Sequence, residues 1–440
     1  MIRNPIRLIP ALFFAVIAFG TLLLWLPISA ADGTPAPFMT ALFTATSAVA
    51  VTGLIVVDTP TYWSTFGQSV VLLLFQIGGF GIMTAATLLG VVAGRTFRLR
   101  DRLATQVERS RLDFDDARSV LRLVFVITLA VEALVFAILA ARLRFTYGYE
   151  WGEAAWHGLF QAVSAFNNAG FSTYSDSMMG FQSDPAMLWP IMIAVIITAL
   201  GFPVMQELRY RPFDFKHWTL HSKITVSGTV ILLASGFLFV LLAEWDNADT
   251  LGPMAIGDKA LNAMFHSVMP RTAGFNSLDV GAFRDETLLA NYALMFIGGG
   301  SAGTAGGIKI TTFVLLLVIV ASEVRGQRDA VLFDRRVSRD VERQALSVAV
   351  LAATLIAIGS AIILATTELA PRDVFFETIS AFSTVGLSTG ATGSLGTVGE
   401  LVIIVLMFVG RVGTITVATA LALGASRKPY RYPEENPIVG

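Results

Sequence analysis

A short motif that ends near a glycine occurs four times along this chain, and it constrains the fold more strongly than any other feature. Each copy has an apolar run that holds a serine, a glycine six residues later (seven in the third copy), and then Leu or Phe. The copies span residues 45–54, 162–171, 265–275 and 378–387, with glycines Gly53, Gly170, Gly274 and Gly386. These glycines are 117, 104 and 112 residues apart, which is too long a period for a solenoid. The spacing predicts four folded units.

Composition indicates where these units reside. Of the 440 residues, 55% are hydrophobic and 14% charged, which is typical of a polytopic membrane protein and not of a soluble chain. Eight apolar stretches are long enough to cross a bilayer, which takes roughly 20 residues. They lie near 8–28, 66–93, 119–141, 186–205, 224–243, 288–322, 345–366 and 399–424. Shorter apolar segments lie between the members of each pair, at 37–50, 154–167, 257–270 and 371–383, and predict re-entrant half-helices.

We therefore predict an all-α membrane protein with eight spanning helices. It is built from four helix–pore loop–helix repeats with pseudo-fourfold symmetry around one pore per chain, a pore loop being a half-helix with the glycine motif that follows it. The predicted repeats are 1–94 with pore loop 37–54, 95–205 with pore loop 154–172, 206–322 with pore loop 257–276, and 323–440 with pore loop 371–389 and a short cytoplasmic tail. The apolar run after Arg7 is predicted to be the first spanning helix, because it shows no clear signal-peptide cleavage site.

The basic residues predict the orientation. Both termini and the loops near 94–118, 206–223, 323–343 and 425–440 carry 23 of the 31 Lys and Arg residues, so the positive-inside rule makes this side cytoplasmic. The glycine motifs then face outward. Asp58, Asp176 and Asp279 follow their glycines by five or six residues and are expected to line an outer mouth that concentrates cations. The alternative, that outer loops merely avoid basic residues, stays open.

Four such loops predict a cation filter. Non-helical backbone at membrane depth is tolerated only where it is packed in protein or lines water. Glycine lets carbonyl groups turn inward, where they replace the hydration shell of a cation, and the half-helices direct their partially negative ends to the same point. The candidate filter residues are Thr52, Gly53, Asn168, Ala169, Gly170, Thr272, Ala273, Gly274, Thr384, Val385 and Gly386. Of these, Thr52, Asn168, Thr272 and Thr384 either brace the loops or face the ion. The other interpretation of a membrane glycine is close helix packing.

A glycine-rich stretch at 298–307 is expected to break the second helix of the third repeat, because each glycine disfavours a helix by about 1 kcal/mol relative to alanine. It matches the G-x-G-x-x-G dinucleotide pattern, which we reject because that pattern requires a strand before it. Arg411 lies in the middle of the last apolar stretch, at a cost of at least roughly 2.5 kcal/mol unless it is paired or hydrated. A structural ion pair with Glu132, the one acid assigned to membrane depth, is the alternative to a functional role. Lys309 is able to snorkel to the cytoplasmic surface.

Several chemistries find no support in the sequence. The absence of cysteine excludes disulfides, thiolate nucleophiles and Cys metal sites, and the four histidines show no metal-ligand spacing. No Walker sequence is present, so the chain is predicted to hold no organic cofactor. Because no nucleophile or metal constellation is apparent, it is also predicted not to be an enzyme. It is predicted to bind no nucleic acid. An intramembrane enzyme and a structural scaffold remain rival classes. The basic segments 95–102 and 323–343 are candidate docking surfaces or anionic-lipid contacts.

At these motifs the chain resembles the membrane subunits of the Trk/Ktr/HKT potassium-transporter superfamily, most closely the Ktr type. The sequences TAGFN at 272–276 and STVGLST at 383–389 are the most typical, and the resemblance covers essentially the whole chain. The segment GSAGTAGG at 300–307 and the residues after Gly413 depart slightly from the family pattern. One filter glycine per repeat, as here, goes with potassium preference in that family.

The resemblance implies potassium uptake across the cytoplasmic (inner) membrane of a prokaryote, with K⁺ held at the four motif glycines. It implies an intramembrane gate beneath them that Arg411 completes, formed from Gly298, Gly299, Gly300, Ser301, Gly303, Thr304, Gly306, Gly307 and Lys309. It further implies a homodimer seated on a separate cytosolic ring that binds the regulatory nucleotide. The alternative is the same fold carrying Na⁺, or coupling K⁺ to Na⁺ or H⁺.

Overall fold

A computed structural model describes residues 5–101, 117–327 and 329–413, and these are mostly helical. The described residues form fifteen α-helices: α1 Pro5–Leu24, α2 Phe38–Val49, α3 Thr59–Tyr62, α4 Thr65–Asp101, α5 Ala117–Phe145, α6 Trp151–Asn167, α7 Pro185–Leu200, α8 Phe202–Tyr210, α9 Leu220–Ala243, α10 Ile256–Val268, α11 Asp285–Phe296, α12 Ile310–Val324, α13 Arg339–Thr366, α14 Pro371–Ser383 and α15 Gly396–Phe408. A hairpin of β1 Val331–Leu332 and β2 Arg335–Arg336 joins α12 to α13, and a π-helical turn, Val409–Gly413, continues α15. The predicted cytoplasmic tail and most of the loop at 94–118 lie outside the described residues.

Long apolar helices give the chain its membrane character. Within the described residues four helices are long and apolar enough to cross a bilayer, namely those at Arg122–Phe145, Leu220–Ala243, Arg339–Thr366 and Gly396–Gly413. The bent pair α7 and α8 makes a fifth if it is counted as one span. Their outward side chains are apolar, as lipid contact requires: Leu134, Ile231 and Leu242 are 63%, 65% and 74% exposed. The number of eight spans stays a prediction.

Four short helices lie where half-helices are predicted. They are α2, α6, α10 and α14, with 12, 17, 13 and 13 residues, and their bounds lie within three residues of the predicted ones. Each is too short to span a bilayer. Their C-terminal halves are almost wholly buried, because longer helices surround them.

Apolar contacts join successive quarters of the chain. Phe75 of α4 packs against Phe160 of α6 with ring centroids 5.5 Å apart, and stacks on Phe171 at 6.1 Å. At the other end of the chain, Met407 of α15 belongs to one buried cluster with Phe43 of α2. The last quarter therefore packs against the first.

The stretch predicted as one helix at 186–205 is in fact broken, which corrects the prediction. α7 ends at Leu200, α8 begins at Phe202, and the two helices are bent by 98°. Gly201 between them has a φ of +87°, a conformation that non-glycine residues adopt only with strain. Pro203 follows in the first turn of α8, where its missing N–H costs nothing.

The stretch at 288–322 is also broken, here at the glycine-rich segment where a break is predicted. α11 ends at Phe296 and α12 begins at Ile310, so the glycine-rich segment between them is not helical. The residues at its two ends pair with each other: the Gly298 N–H donates to the Ile308 carbonyl at 2.8 Å. The segment is therefore a closed loop inside the protein.

Candidate functional site

The four motif glycines meet around one axis. A methyl group at Gly170 would lie 3.0 Å from the Ala273 carbonyl oxygen and 3.1 Å from the Cα atom of Gly274. The same relation recurs at every copy. The glycines and the carbonyl oxygens that they face are Gly53 with Ala169, Gly170 with Ala273, Gly274 with Val385, and Gly386 with Thr52. Because the last contact returns to the first copy, one chain closes the whole ring.

The backbone has the same conformation in each copy. The four glycines have φ angles between +71° and +94°. The residues two positions earlier also have positive φ: Val51 at 55°, Asn168 at 59°, Thr272 at 79° and Thr384 at 49°. Positive φ is uncommon outside glycine, so its repetition marks a constrained backbone. We call residues 51–53, 168–170, 272–274 and 384–386 the glycine segments.

The motif serines hold three of the glycine segments to their half-helices. The Thr52 N–H donates to the Ser47 carbonyl at 2.8 Å, and the Gly53 N–H donates to the Ser47 hydroxyl at 3.1 Å. In the fourth copy the Ser380 hydroxyl donates to the Leu387 carbonyl at 2.6 Å. Ser164 makes the corresponding bond to Phe171 at 2.7 Å. The six-residue spacing therefore reflects a hydrogen-bonded turn that aims each helix C-terminus at the ring.

The third copy, with its extra residue, is held differently. The Ser267 hydroxyl donates to the Leu233 carbonyl of α9 at 2.7 Å instead of to its own glycine segment. Arg271 is 3% exposed, and its guanidinium lies 3.5 Å from the Thr229 carbonyl, also in α9. This glycine segment is therefore tied to a long helix.

The polar residues beside the glycines have mixed roles. The side-chain amide oxygen of Asn168, Oδ1, accepts a hydrogen bond from the Thr198 hydroxyl at 2.9 Å, and the Thr384 hydroxyl lies 3.5 Å from the Arg411 guanidinium. These two side chains contact neighbouring elements. The hydroxyls of Thr52 and Thr272 are buried and have no hydrogen-bond partner among the described residues.

An open cavity of about 470 Å³ lies over the ring. All four motif glycines line it, and so do Asp58 and Asp279. Asp176, which we expected at the same mouth, is not among the lining residues. The Asp58 carboxylate accepts a hydrogen bond from Ser175 at 2.7 Å, which links the outer loops of the first two copies. Two carboxylates therefore face the approach to the ring, where they attract cations.

The glycine-rich loop contacts α7, which bonds the second glycine segment, and lies directly against the fourth. The Gly300 N–H donates to the Ala199 carbonyl at 2.7 Å, at the end of α7, and Thr198 of α7 bonds Asn168 of the second segment. On the other side, a methyl group at Gly306 would lie 2.6 Å from the Ser383 carbonyl oxygen, next to the fourth segment. The loop therefore extends from the second segment to the fourth.

Two basic side chains hold this loop. The Arg411 guanidinium, 2% exposed, donates to the Thr304 carbonyl oxygen, and the Lys309 ammonium donates to the Ala305 carbonyl oxygen. Arg411 forms no ion pair with Glu132 among the described residues, which leaves the loop as its observed partner. Lys309 is partly buried, and in this structure its ammonium turns back onto the loop.

A buried carboxylate that sequence reasoning missed supports the fourth segment. Glu377 of α14 is fully buried and accepts hydrogen bonds from Ser388 at 2.6 Å, from the Thr389 N–H at 3.1 Å and from Thr392 at 2.6 Å. Glu132 is therefore not the only buried acid. At the corresponding position of the second copy, the Gln161 amide N–H donates to the Ser172 hydroxyl at 2.7 Å. Gln161 and Glu377 precede their glycines by nine residues, a spacing visible in the sequence.

These features define a class: a mostly helical, multi-pass membrane protein in which four glycine segments from one chain meet around an axis. The chain belongs to the TrkH family, described as cation transport proteins, whose model matches residues 3–428. The resemblance to the Trk/Ktr membrane subunits is thereby confirmed.

Relatives of known description support the same assignment. The chain is 39% identical to Ktr system potassium uptake protein B of Bacillus subtilis, over 99% of this chain and 97% of that protein. It is 36% identical to the potassium/sodium uptake protein NtpJ of Enterococcus hirae, over 99% and 97% of the two chains. The fold matches the crystal structure of the potassium transporter TrkH from Vibrio parahaemolyticus with a TM-score of 0.75 at 18% identity, covering 97% of this chain and 86% of that one.

Proposed function

We propose that this chain takes up K⁺ through the axial pathway at the glycine ring. The observation that carries the proposal is the closed contact between Gly53, Gly170, Gly274 and Gly386, since carbonyl groups around such a ring replace the hydration shell of a cation. The carbonyls of Thr52, Ala169, Ala273 and Val385, which face the neighbouring glycines, are assigned to this filter. Relatives at 39% and 35% identity that are named potassium uptake proteins support K⁺ as the cargo.

The glycine-rich loop is proposed as the gate. It blocks the pathway beneath the filter, together with Lys309 and Arg411, and moves aside on activation. Its contacts at Ala199 and at Ser383 support this role, because they lie next to two different filter segments. The positive charges of Arg411, which is buried, and of Lys309, which is partly buried, add an electrostatic barrier to cations beside the loop.

We place the chain in the cytoplasmic membrane of a prokaryote, with both termini and the basic loops in the cytoplasm and membrane lipids around it. It acts as a homodimer on a cytosolic nucleotide-binding ring, so any nucleotide binds the partner and not this chain. The relatives' description as parts of a Ktr system supports a multi-subunit assembly.

The test is ⁸⁶Rb⁺ uptake into proteoliposomes that hold this chain alone, with external K⁺ or Na⁺ as competitor and empty liposomes as control. We expect K⁺ to compete and Na⁺ to compete weakly. A variant that lacks residues 301–306 tests whether the gate stays closed without its partner. If both the full chain and this variant are silent, the proposal is wrong.

A second candidate is transport of Na⁺, or of K⁺ coupled to Na⁺. It is favoured by the name of NtpJ, a potassium/sodium uptake protein at 36% identity. Uptake of ²²Na⁺ in the same vesicles, and of ⁸⁶Rb⁺ with and without an imposed Na⁺ gradient, separates the two. Uptake of ⁸⁶Rb⁺ that needs the gradient would establish coupling.

A further inference from the structure

A basic cavity of about 360 Å³ lies on the side proposed to be cytoplasmic, away from the pathway. It is formed by the loop before α9 and by the hairpin between α12 and α13. Arg211, Lys216, Lys223 and Arg335 line it, and Trp218 and Phe333 contribute aromatic walls. Four cations therefore converge on one small volume.

The hairpin places Arg335 in this cavity. Leu332 pairs with Arg335, and the two turn residues Phe333 and Asp334 have φ angles of 49° and 59°, as in the tight turns that join twisted strands. Successive strand residues point to opposite sides. Arg335 accordingly lines the cavity, whereas Arg336 does not and pairs with Asp329 at 3.5 Å.

Lys223 joins the two walls. Its ammonium lies 5.5 Å from the centre of the Phe215 ring and 5.9 Å from that of Phe333, and it donates to the Lys216 carbonyl at 3.0 Å. The Trp218 indole N–H donates to the Arg211 carbonyl at 2.7 Å, which closes the loop on itself. These contacts give the cavity a defined shape.

The positive charge is not neutralised within the described residues. Arg211, Lys216 and Arg335 form no ion pair there. The nearby Asp214 accepts a hydrogen bond from His217 at 2.7 Å; this bond, with a smaller contribution from Arg211, lowers the pKa of Asp214. Asp334 does not line the cavity. Four cations thus outnumber the acids around them, and an anion placed among them would relieve their mutual repulsion.

The surroundings indicate which anion. Trp218 stands two residues before α9, an apolar span, so the cavity lies at the level of the lipid head groups. Phe213 of this loop is 97% exposed, and Tyr210, the last residue of α8, is 66% exposed. Exposed aromatic residues are typical of the membrane interface. A freely dissolved anion would not require them.

We propose that this cavity binds the phosphate head group of an anionic phospholipid from the cytoplasmic leaflet. Arg211 and Arg335 bind the phosphate oxygens through their guanidinium forks, and Lys216 and Lys223 contribute charge. The exposed aromatic residues Tyr210 and Phe213 lie among the acyl chains. Basic pockets at the cytoplasmic ends of membrane helices suit this chemistry. The inference rests on the orientation given under the proposed function, but not on transport.

The test measures lipid binding by native mass spectrometry of the full chain in detergent. The probes are dioleoylphosphatidylglycerol, dioleoylphosphatidylcholine and inorganic phosphate. We expect phosphatidylglycerol to bind more tightly than the other two. Arg335→Gln should weaken it about fivefold and the pair Arg211→Gln with Arg335→Gln about 25-fold, the effect of one and two basic groups near an anionic head group. Arg336→Gln, which removes the same charge from the next residue, should change binding less than about twofold.

Three results would overturn the inference. Equal weakening by Arg335→Gln and Arg336→Gln would mean diffuse attraction and no site. Equal binding of phosphatidylglycerol and phosphatidylcholine would show that the net charge of the lipid does not determine binding. Binding of inorganic phosphate in place of phosphatidylglycerol would indicate a soluble ligand. ⁸⁶Rb⁺ uptake by the same preparations is recorded separately, so a failure of transport does not alter the conclusion on binding.

Discussion

At the scale of single residues, each motif glycine meets two requirements at once. Gly53 has a φ of +90°, and a methyl group on it would overlap the Ala169 carbonyl oxygen of the next segment. Any side chain would therefore strain the backbone and push a carbonyl group that is assigned to the ion. The same argument applies to Gly386 against Thr52.

We predict that Gly53→Ser lowers the preference for K⁺ over Na⁺ about tenfold, which corresponds to about 1.4 kcal/mol. The measurement is the competition of K⁺ and Na⁺ with ⁸⁶Rb⁺ uptake. Gly33→Ser is the matched control: Gly33 also has a positive φ, +72°, but no atom of the described residues lies within 4 Å of a methyl group there. An unaltered ratio in Gly53→Ser would remove Gly53 from the filter.

Glu377 allows a test of charge against hydrogen bonding. Glu377→Leu should destabilise the protein by about 3 kcal/mol, because it removes the acceptor of three donors, of which Thr392 is buried and Ser388 and the Thr389 N–H are partly buried. Glu377→Gln should retain most stability and flux, since Gln161 already occupies the corresponding position of the second copy. Thermal unfolding in detergent, with ⁸⁶Rb⁺ uptake, compares the variants. A Gln variant as damaged as the Leu variant would show that the charge itself is required.

The sequence predicts the ring residues well, because the motif demands a glycine for reasons that act locally. It predicts the bracing residues less well. In the first copy Val51, and not Thr52, takes the position with positive φ, because the threonine is shifted by one residue. Arg271 and Ser267 attach to α9, a contact that no spacing within the third motif reveals.

At the scale of elements, the break between α7 and α8 positions the glycine-rich loop. The Phe202 N–H donates to the Ala302 carbonyl at 3.3 Å, and a methyl group on Gly201 would overlap the Ser301 carbonyl oxygen. Apolar composition continues through the break, so hydropathy alone predicts one helix at 186–205. The Gly201 and Pro203 pair is the signal that could have revealed it.

We predict that Gly201→Ala displaces the loop and raises the basal leak of ⁸⁶Rb⁺ from proteoliposomes, because the new methyl group occupies the space of the Ser301 carbonyl. Gly81→Ala serves as control. Gly81 is helical, and no described atom lies within 4 Å of a methyl group there, so the change should leave the leak unaltered. Equal ⁸⁶Rb⁺ leaks in the Gly201→Ala and Gly81→Ala variants would show that the break between α7 and α8 does not control the gate.

Arg411 connects the last helix to the same loop. We predict that Arg411→Ala raises basal ⁸⁶Rb⁺ flux about tenfold, because the Thr304 carbonyl loses its donor. A tenfold rise corresponds to a barrier lowered by about 1.4 kcal/mol. Arg411→Lys keeps the charge without the planar fork and should raise flux less. Flux and regulation unchanged in the alanine variant would exclude Arg411 from the gate.

At the scale of the whole molecule, orientation is directly testable because the chain has no cysteine. Gly33 and Gly326 are a matched pair of exposed turn glycines, with φ of +72° and +65° and no described atom within 4 Å of a methyl group. In intact cells a membrane-impermeant maleimide should label Gly33→Cys, and should label Gly326→Cys only after permeabilisation. The reverse pattern would invert the proposed topology.

Because one polypeptide supplies all four glycine segments, a single codon changes one quarter of the ring and leaves three quarters intact. In a pore assembled from four identical chains, the same change would appear four times. Selection can therefore adjust the ion preference of the proposed filter in small steps. It can also modify the third segment, which α9 holds, without altering the serine-bonded turns of the other three.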